Sequence, residues 1–229
     1  MKKYIHTLTL ALFAFAISFY STGQVPGYNL SLMDDVDLQK FLSDIDVSTD
    51  DLTKYYDGSV YLYKKPVKAT LHFLNTPSEK VTASINLNLQ KSSFDVLVKE
   101  KTFSFSAKDL SKVDVGPISF LAKNNGVFYK LIFENIHLKV IEEYQLEVQS
   151  QSHIIGYESK KNDRIKIKKS IYLETNKGRT SFTRTKKGVS KLFGSQSKKV
   201  KDYMSSKKLS SKSDNDLFDV FSKFYPTLE

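Results

Sequence analysis

The stretch VTASINLNL constrains the fold more than any other part of the chain, because Val81, Ala83, Ile85, Leu87 and Leu89 alternate with polar residues. Period two buries one face of an extended segment and wets the other, so it predicts a strand of an antiparallel sheet resting on a core. Phe94, Val96 and Val98 continue the alternation, and Phe103 with Phe105 begins it again. VYLY, ATLHFL, VFYKLIF and NIHLKVIEEYQLEV add β-branched and aromatic segments that suit a pleated surface. NTPSEK, LQKSS and AKNNG lie between them and carry turn formers. IKIKKSIYLE and RTSFTRT, joined at Asn176 to Gly178, read as a long final hairpin. Nothing between these segments resembles the helical crossover that a parallel sheet requires. The body, residues 57–184, is therefore expected to be an antiparallel meander forming a small barrel or sandwich, since sheet edges must be paired, covered or charged.

Beyond Thr185 the period becomes helical. Val189, Leu192 and Phe193 are spaced i, i+3, i+4; Val200, Tyr203 and Met204 repeat that spacing; Leu217, Val220, Phe221, Phe224 and Tyr225 extend it over two turns. Three short amphipathic helices are expected in residues 185–229. Gly194 would stop the first, Ser213 with Asp216 would cap the last, and Pro226 would end it. A helix of about 12 residues is marginal alone, so the last stripe is expected to dock on its own chain. The fold class is thus α+β, mainly β, with a helical cap on the β body.

The N-terminus reads as an export signal. Lys2 and Lys3 precede the apolar run Leu8 to Phe19, and Ser21-Thr22-Gly23 places small residues before an expected cleavage at Gln24. The run is shorter than the roughly 20 apolar residues of a spanning helix, so residues 1–23 are assigned to a signal peptide and no transmembrane anchor is expected after cleavage. The expected destination is the periplasm, the outer-membrane surface or the extracellular space. Residues 24–56 read as an N-terminal segment of short helical turns. The chain has no cysteine, which excludes disulfides, thiolate metal sites, a Cys nucleophile and lipid attachment through Cys.

Charge divides the chain. Gln24 to Ser159 holds 14 basic and 18 acidic residues, whereas Lys160 to Lys212 holds 18 basic and 3 acidic. A basic segment of this kind either solvates a helical surface or holds the anionic groups of a lipid surface or an envelope polyanion. Lys186, Lys187, Lys198, Lys199, Lys207 and Lys208 are the candidate anion contacts; nucleic acid is not expected as the partner of an exported chain.

Residues for chemistry are sparse. After cleavage His72, His137 and His153 remain, in no metal-ligating spacing. The acids from Asp34 to Asp51 fail the calcium-loop pattern, because a loop starting at Asp44 meets Thr49 and Tyr55 where Gly and Glu are needed. No GxSxG elbow, P-loop or GxGxxG occurs, and no catalytic residue, cofactor or metal site is assigned. Tyr55, Tyr56, Tyr61 and Tyr63 cluster, with Tyr61 and Tyr63 at one strand parity, and are candidate contacts for a ligand or partner. The reading that follows is a non-enzymatic binding or structural module of the envelope. A hydrolase whose carboxylates meet only in the fold, and a polyanion or membrane-surface binder through Lys160 to Lys212, are the alternatives.

Four stretches, NLNLQKSSFDVLV, FYKLIFENIHLKVIEEY, IYLETNKG and the Lys-rich close from Thr185 to Tyr225, together resemble a family of exported Bacteroidota proteins to which no activity is assigned. The resemblance covers roughly residues 57–229. It implies a β-rich body, a helical close and an exported location, and it brings no cofactor or catalytic residue.

Overall fold

The computed structural model describes residues 28–29, 56–77, 80–98, 101–150 and 163–225. The expected signal peptide, its cleavage site, the Asp34 to Asp51 acids, Tyr55 and His153 lie outside them.

The strands are β1 (Tyr28–Asn29), β2 (Val67–Phe73), β3 (Lys80–Asn88), β4 (Ser93–Val98), β5 (Lys101–Ser106), β6 (Leu110–Val115), β7 (Ile118–Ala122), β8 (Phe128–Glu134), β9 (Leu138–Gln149), β10 (Arg164–Thr175) and β11 (Gly178–Phe182). Antiparallel pairing runs in the order β11-β10-β9-β8-β7-β6-β2-β3-β4-β5, and β1 adds a short parallel pairing to β3. The alternation predicted β3 correctly: Val81, Ala83, Ile85 and Leu87 are all buried. The final hairpin also forms, with Thr175 opposite Gly178 at its turn.

The sheet curls strongly on itself. Phe94 of β4 packs edge-on against Phe128 of β8 with ring centroids 4.8 Å apart, although five strand spacings, about 24 Å in a flat sheet, separate those strands. Phe73 of β2 meets Phe105 of β5 in the same way at 5.5 Å. The resulting core holds Leu71, Ile85, Leu87, Leu110 and Phe120, all essentially inaccessible.

Closure is where the structure corrects the sequence reading. The hydrogen-bonded order stops at β5 and at β11, so the sheet is not a closed barrel. VYLY is not a regular strand either. It belongs to a strap in which Asp57 bridges Arg164 of β10 and Tyr61 bridges Asn88 of β3. Leu62 N donates to Leu87 O and Leu89 N to Val60 O, both at 2.9 Å, so the strap continues the line of β2 beyond Pro66. Pro has no N–H for a ladder, and the Asn86 side chain fills the gap, accepting from Tyr63 N at 3.0 Å and donating to Tyr63 O at 2.8 Å. Gly58 lets the strap leave β10: its φ is +128°, and a Cβ there would lie 2.7 Å from Ile165 O.

The three helices form as expected: α1 (Lys186–Lys191), α2 (Ser197–Ser206) and α3 (Asp214–Phe224), with a 3-10 turn at Gly194–Gln196. Thr185 caps α1 by accepting from Gly188 N, and Ser213 caps α3 by accepting from Asp216 N. Their apolar stripes cover the part of the sheet that the curl leaves open. Val189, Phe193, Val200, Met204, Leu217, Val220 and Phe221 form a second core with Phe133, Val140 and Ile171 of β8, β9 and β10.

The terminal stripe is thus buried by its own chain. Phe221→Ala is expected to lower stability by about 3–5 kcal/mol in urea unfolding, whereas Phe218→Ala, at a half-exposed site on the same helix, is expected to cost less than about 1.5 kcal/mol. Equal losses would contradict the docked arrangement.

Candidate functional site: a buried charge ring and a lysine-covered cap

The inward parity of β9 reads Leu138, Val140, Glu142, Tyr144. The first two residues lie in the helix-covered core and Tyr144 in the self-covered core, so Glu142 occupies the seam between them and keeps only 2 % of its surface. A lone carboxylate there would be very costly. Lys130 stands directly opposite on β8 and reaches Glu142 Oε1 at 3.2 Å and Asp214 Oδ2 at 2.9 Å. Arg184, just beyond β11, pairs through Nη1 with Glu142 Oε2 and through Nη2 with Asp214 Oδ1, the latter at 2.6 Å. The four residues form a closed ring of alternating charge with no net charge.

Arg184 extends the ring to the cap. Its Nε donates to Ser211 O at 3.2 Å and its Nη2 to Lys212 O at 2.8 Å, while Ser211 Oγ donates to Arg184 O at 3.0 Å. The segment leading into α3 is therefore fastened to the sheet. Asp214 is the first residue of α3, where a negative charge also favours the helix dipole. Burial works against ionising Asp214, but the hydrogen bonds and charges of Lys130 and Arg184 outweigh it and hold its pKa below the ordinary carboxylate range. Two tyrosines complete the seam. Burial, then the charge of Glu142, pushes the Tyr144 phenol far up; burial, then Asp214, pushes Tyr63 up to about 12.

The three described tyrosines of the cluster, Tyr56, Tyr61 and Tyr63, are each partly buried and form no open platform. Tyr56 is half-buried at the start of the strap. Tyr61 donates its hydroxyl to Asp95 Oδ2 at 2.9 Å, and Tyr63 packs on the core beside the ring. Asp95 also accepts from Ser93, Asn88 and Ser104, so this buried carboxylate serves to fix the strap.

The two described histidines are far apart in role. His72 Nε2 lies 2.8 Å from Asp114 Oδ2, and Ser119 Oγ donates to Asp114 Oδ1 at 2.6 Å. That trio places the carboxylate between hydroxyl and imidazole, whereas a nucleophilic triad needs the imidazole in the middle. His137 is exposed at the β8–β9 turn, near Tyr225. Among the described residues no group of His, Asp or Glu is arranged to hold a metal ion. One depression of about 490 Å³ is lined by Glu142, Lys169, Tyr172, Ser181 and Arg184, and another of about 440 Å³ by Lys123, Tyr129, Lys139 and Glu174. Each has a single carboxylate in its lining, so neither supplies the pair that the hydrolase alternative requires.

The lysines behave differently from every charge described so far. Nine lie between Thr185 and Ser213, with Asp202 as the one acid. Lys187, Lys191, Lys198, Lys199, Lys201, Lys207, Lys208 and Lys212 are exposed and Lys186 is half-buried. Among the described residues none of the nine makes an ion pair. On α2, Lys198, Lys199 and Lys201 lie on the arc away from the buried Val200 and Met204.

Comparison of the chain with protein-family models, with curated proteins and with solved structures gives no match in any of the three.

The ring has a pH signature. Asp214 of the ring has a lowered folded-state pKa, as do Glu143 and Asp114 outside it, so the stability these carboxylates contribute is complete above the unfolded value of about 4. It is lost as pH falls through the lowered folded values. Asp214→Asn is expected to destabilise by about 3–5 kcal/mol at neutral pH, and its gap from the parent chain in urea unfolding should shrink in acid. A gap independent of pH would show that the Asp214 charge is not what the ring uses.

Proposed function

We propose that this chain is an exported, non-enzymatic module of the cell envelope, and that it acts by binding an anionic partner through the lysine-covered face of its cap. The observation that carries this reading is the contrast in charge pairing. Lys123, Lys130, Arg179 and Arg184 are each bound to carboxylates on the sheet, while the nine cap lysines have no acidic partner among the described residues. A surface that served solvation alone would gain from interspersed acids, since like charges at helical spacing repel.

The export half of the proposal rests on the Lys2-Lys3 pair, the apolar run and the small residues before Gln24. It places the module in the periplasm, on the outer-membrane surface or outside the cell. Expressed in an exporting bacterium, the protein recovered from the envelope or medium is expected to begin at Gln24 by mass spectrometry. Recovery only as the full chain from the cytoplasm would end this part of the reading.

Immobilised heparin tests the binding half. The full chain is expected to be retained at low ionic strength and to elute as salt rises, because the screening length shortens from about 10 Å at 0.1 M to about 3 Å at 1 M. Changing Lys187, Lys198, Lys199 and Lys207 to glutamine should bring elution to lower salt without altering the unfolding midpoint. Elution of parent and variant together would remove the cap as the contact surface.

A further inference from the structure

We infer that the anionic partner of the cap is a bilayer surface bearing acidic phospholipid headgroups; this rests on the lysine face being the contact surface at all. Three observations choose a membrane over a polymer strand.

The first is the type of cation. All nine cationic residues between Thr185 and Ser213 are lysine. The protein uses arginine where geometry is fixed: Arg179 pairs with Glu143 at 2.6 Å and stacks 3.4 Å from the Tyr172 ring centre, and Arg184 makes the forked contacts of the ring. Arginine's planar fork suits one carboxylate or phosphate in one position, whereas a lysine ammonium is a hydrated point charge on a flexible stem. Headgroups that diffuse in the membrane plane match the second kind of cation.

The second is shape. The two depressions are lined by residues of β7 to β11 and the loops next to them, and none of the nine lysines lines either. Lys187, Lys191, Lys198, Lys199 and Lys201 are exposed on α1 and α2, two helices that pack against each other, and Lys207, Lys208 and Lys212 are exposed on the connection to α3. Neither of the described depressions offers these lysines a groove that could track a strand.

The third is the lack of stacking surface. Single-stranded nucleic acids and many sugars are held by open aromatic faces. The aromatic residues of α1, α2 and their connection turn inward: Phe193 is buried against Phe221 and Phe224, and Tyr203 packs on Phe224 with Lys223 over its ring. The exposed positions there are lysines, Asp202, serines and Gly194. A basic residue close to an anionic membrane contributes about a fivefold gain in partition, within a screening length of roughly 8 Å at physiological salt.

Vesicle sedimentation tests the inference with the full chain. Neutral vesicles of phosphatidylcholine control for the apolar run near the N-terminus, and vesicles of equal parts phosphatidylcholine and phosphatidylglycerol supply the acidic headgroups. The parent chain is expected to sediment more with the acidic vesicles, and salt should abolish the difference. Replacing Lys187, Lys191, Lys198, Lys199 and Lys201 with glutamine should reduce that extra binding by roughly a hundredfold or more. Replacing the same five with arginine should preserve it. Far-ultraviolet circular dichroism and the unfolding midpoint check that both variants fold, as exposed side chains with no ion pair among the described residues predict.

Equal binding to both vesicle types, or a glutamine variant that binds acidic vesicles as the parent does, would overturn the membrane assignment. Lysine-dependent retention on heparin without preference for acidic vesicles would also overturn it, while leaving the anionic-contact reading in place. A parent chain that binds neither heparin nor acidic vesicles would remove the two together.

Discussion

A carboxylate with almost no surface in water must have its charge answered inside the protein, and Glu142 imposes that demand on four segments at once. Lys130 answers from β8, Arg184 from beyond β11, and Asp214 balances both from the start of α3. Buried ion pairs give little net stability once desolvation is counted, but leaving one partner unpaired is severely destabilising. The ring therefore works as a specification of position. An arrangement of cap and sheet that broke any of its contacts would leave a charge stranded at the seam between two apolar cores.

Why a seam exists follows from how the sheet is covered. Ten antiparallel strands curled to the degree seen here cover part of their own inner face, and the inward residues of β8 to β11 extend beyond that part. The helices cover the remainder with Leu217, Val220, Phe221, Val200 and Met204. Barrel closure would leave no room for them, and the open edge is the consequence. The edge strand β10 carries Arg164, Lys166, Lys168 and Lys169 before β11 joins it at Ile171, a charge pattern that discourages pairing with another chain. The strap adds its bridge at Arg164, where Gly58 permits the close approach.

Legibility in the sequence tracked regularity of the backbone. β3 alternates without interruption and was visible, as were the final hairpin and the capped terminal helix. β6 and β7 were not visible. Leu110 and Val113 are both buried three residues apart because the β2–β6 register shifts between His72 and Phe73, and such an irregularity destroys the period-two signal. A second shift between Leu131 and Phe133 lets the adjacent Ile132 and Phe133 both be buried. The ring was missed for another reason: its members are up to 84 residues apart. A trace was still present, since Lys130 shares the parity of Phe128, Glu142 that of Val140 and Tyr144, and Arg184 that of Phe182. A charge at an inward parity is a stronger signal than a charge in a run. Clustering of tyrosines in sequence does not by itself decide which way a strap turns its side chains.

The charges fall into two populations, and the outer one carries a repulsion that interspersed acids would relieve. Lys187 and Lys191 stand i, i+4 on α1, and Lys198 and Lys201 stand i, i+3 on α2. Each such like-charge pair costs about 0.2–0.5 kcal/mol, which a glutamate in either place would turn into a gain of similar size. The cap accepts that repulsion because its stability comes from elsewhere: the apolar stripes beneath it and the Arg184 contacts at the start of α3. Paired charges inside and, among the described residues, unpaired ones outside are then two parts of one arrangement, in which the buried ring fixes the orientation of a surface whose own charges oppose its assembly.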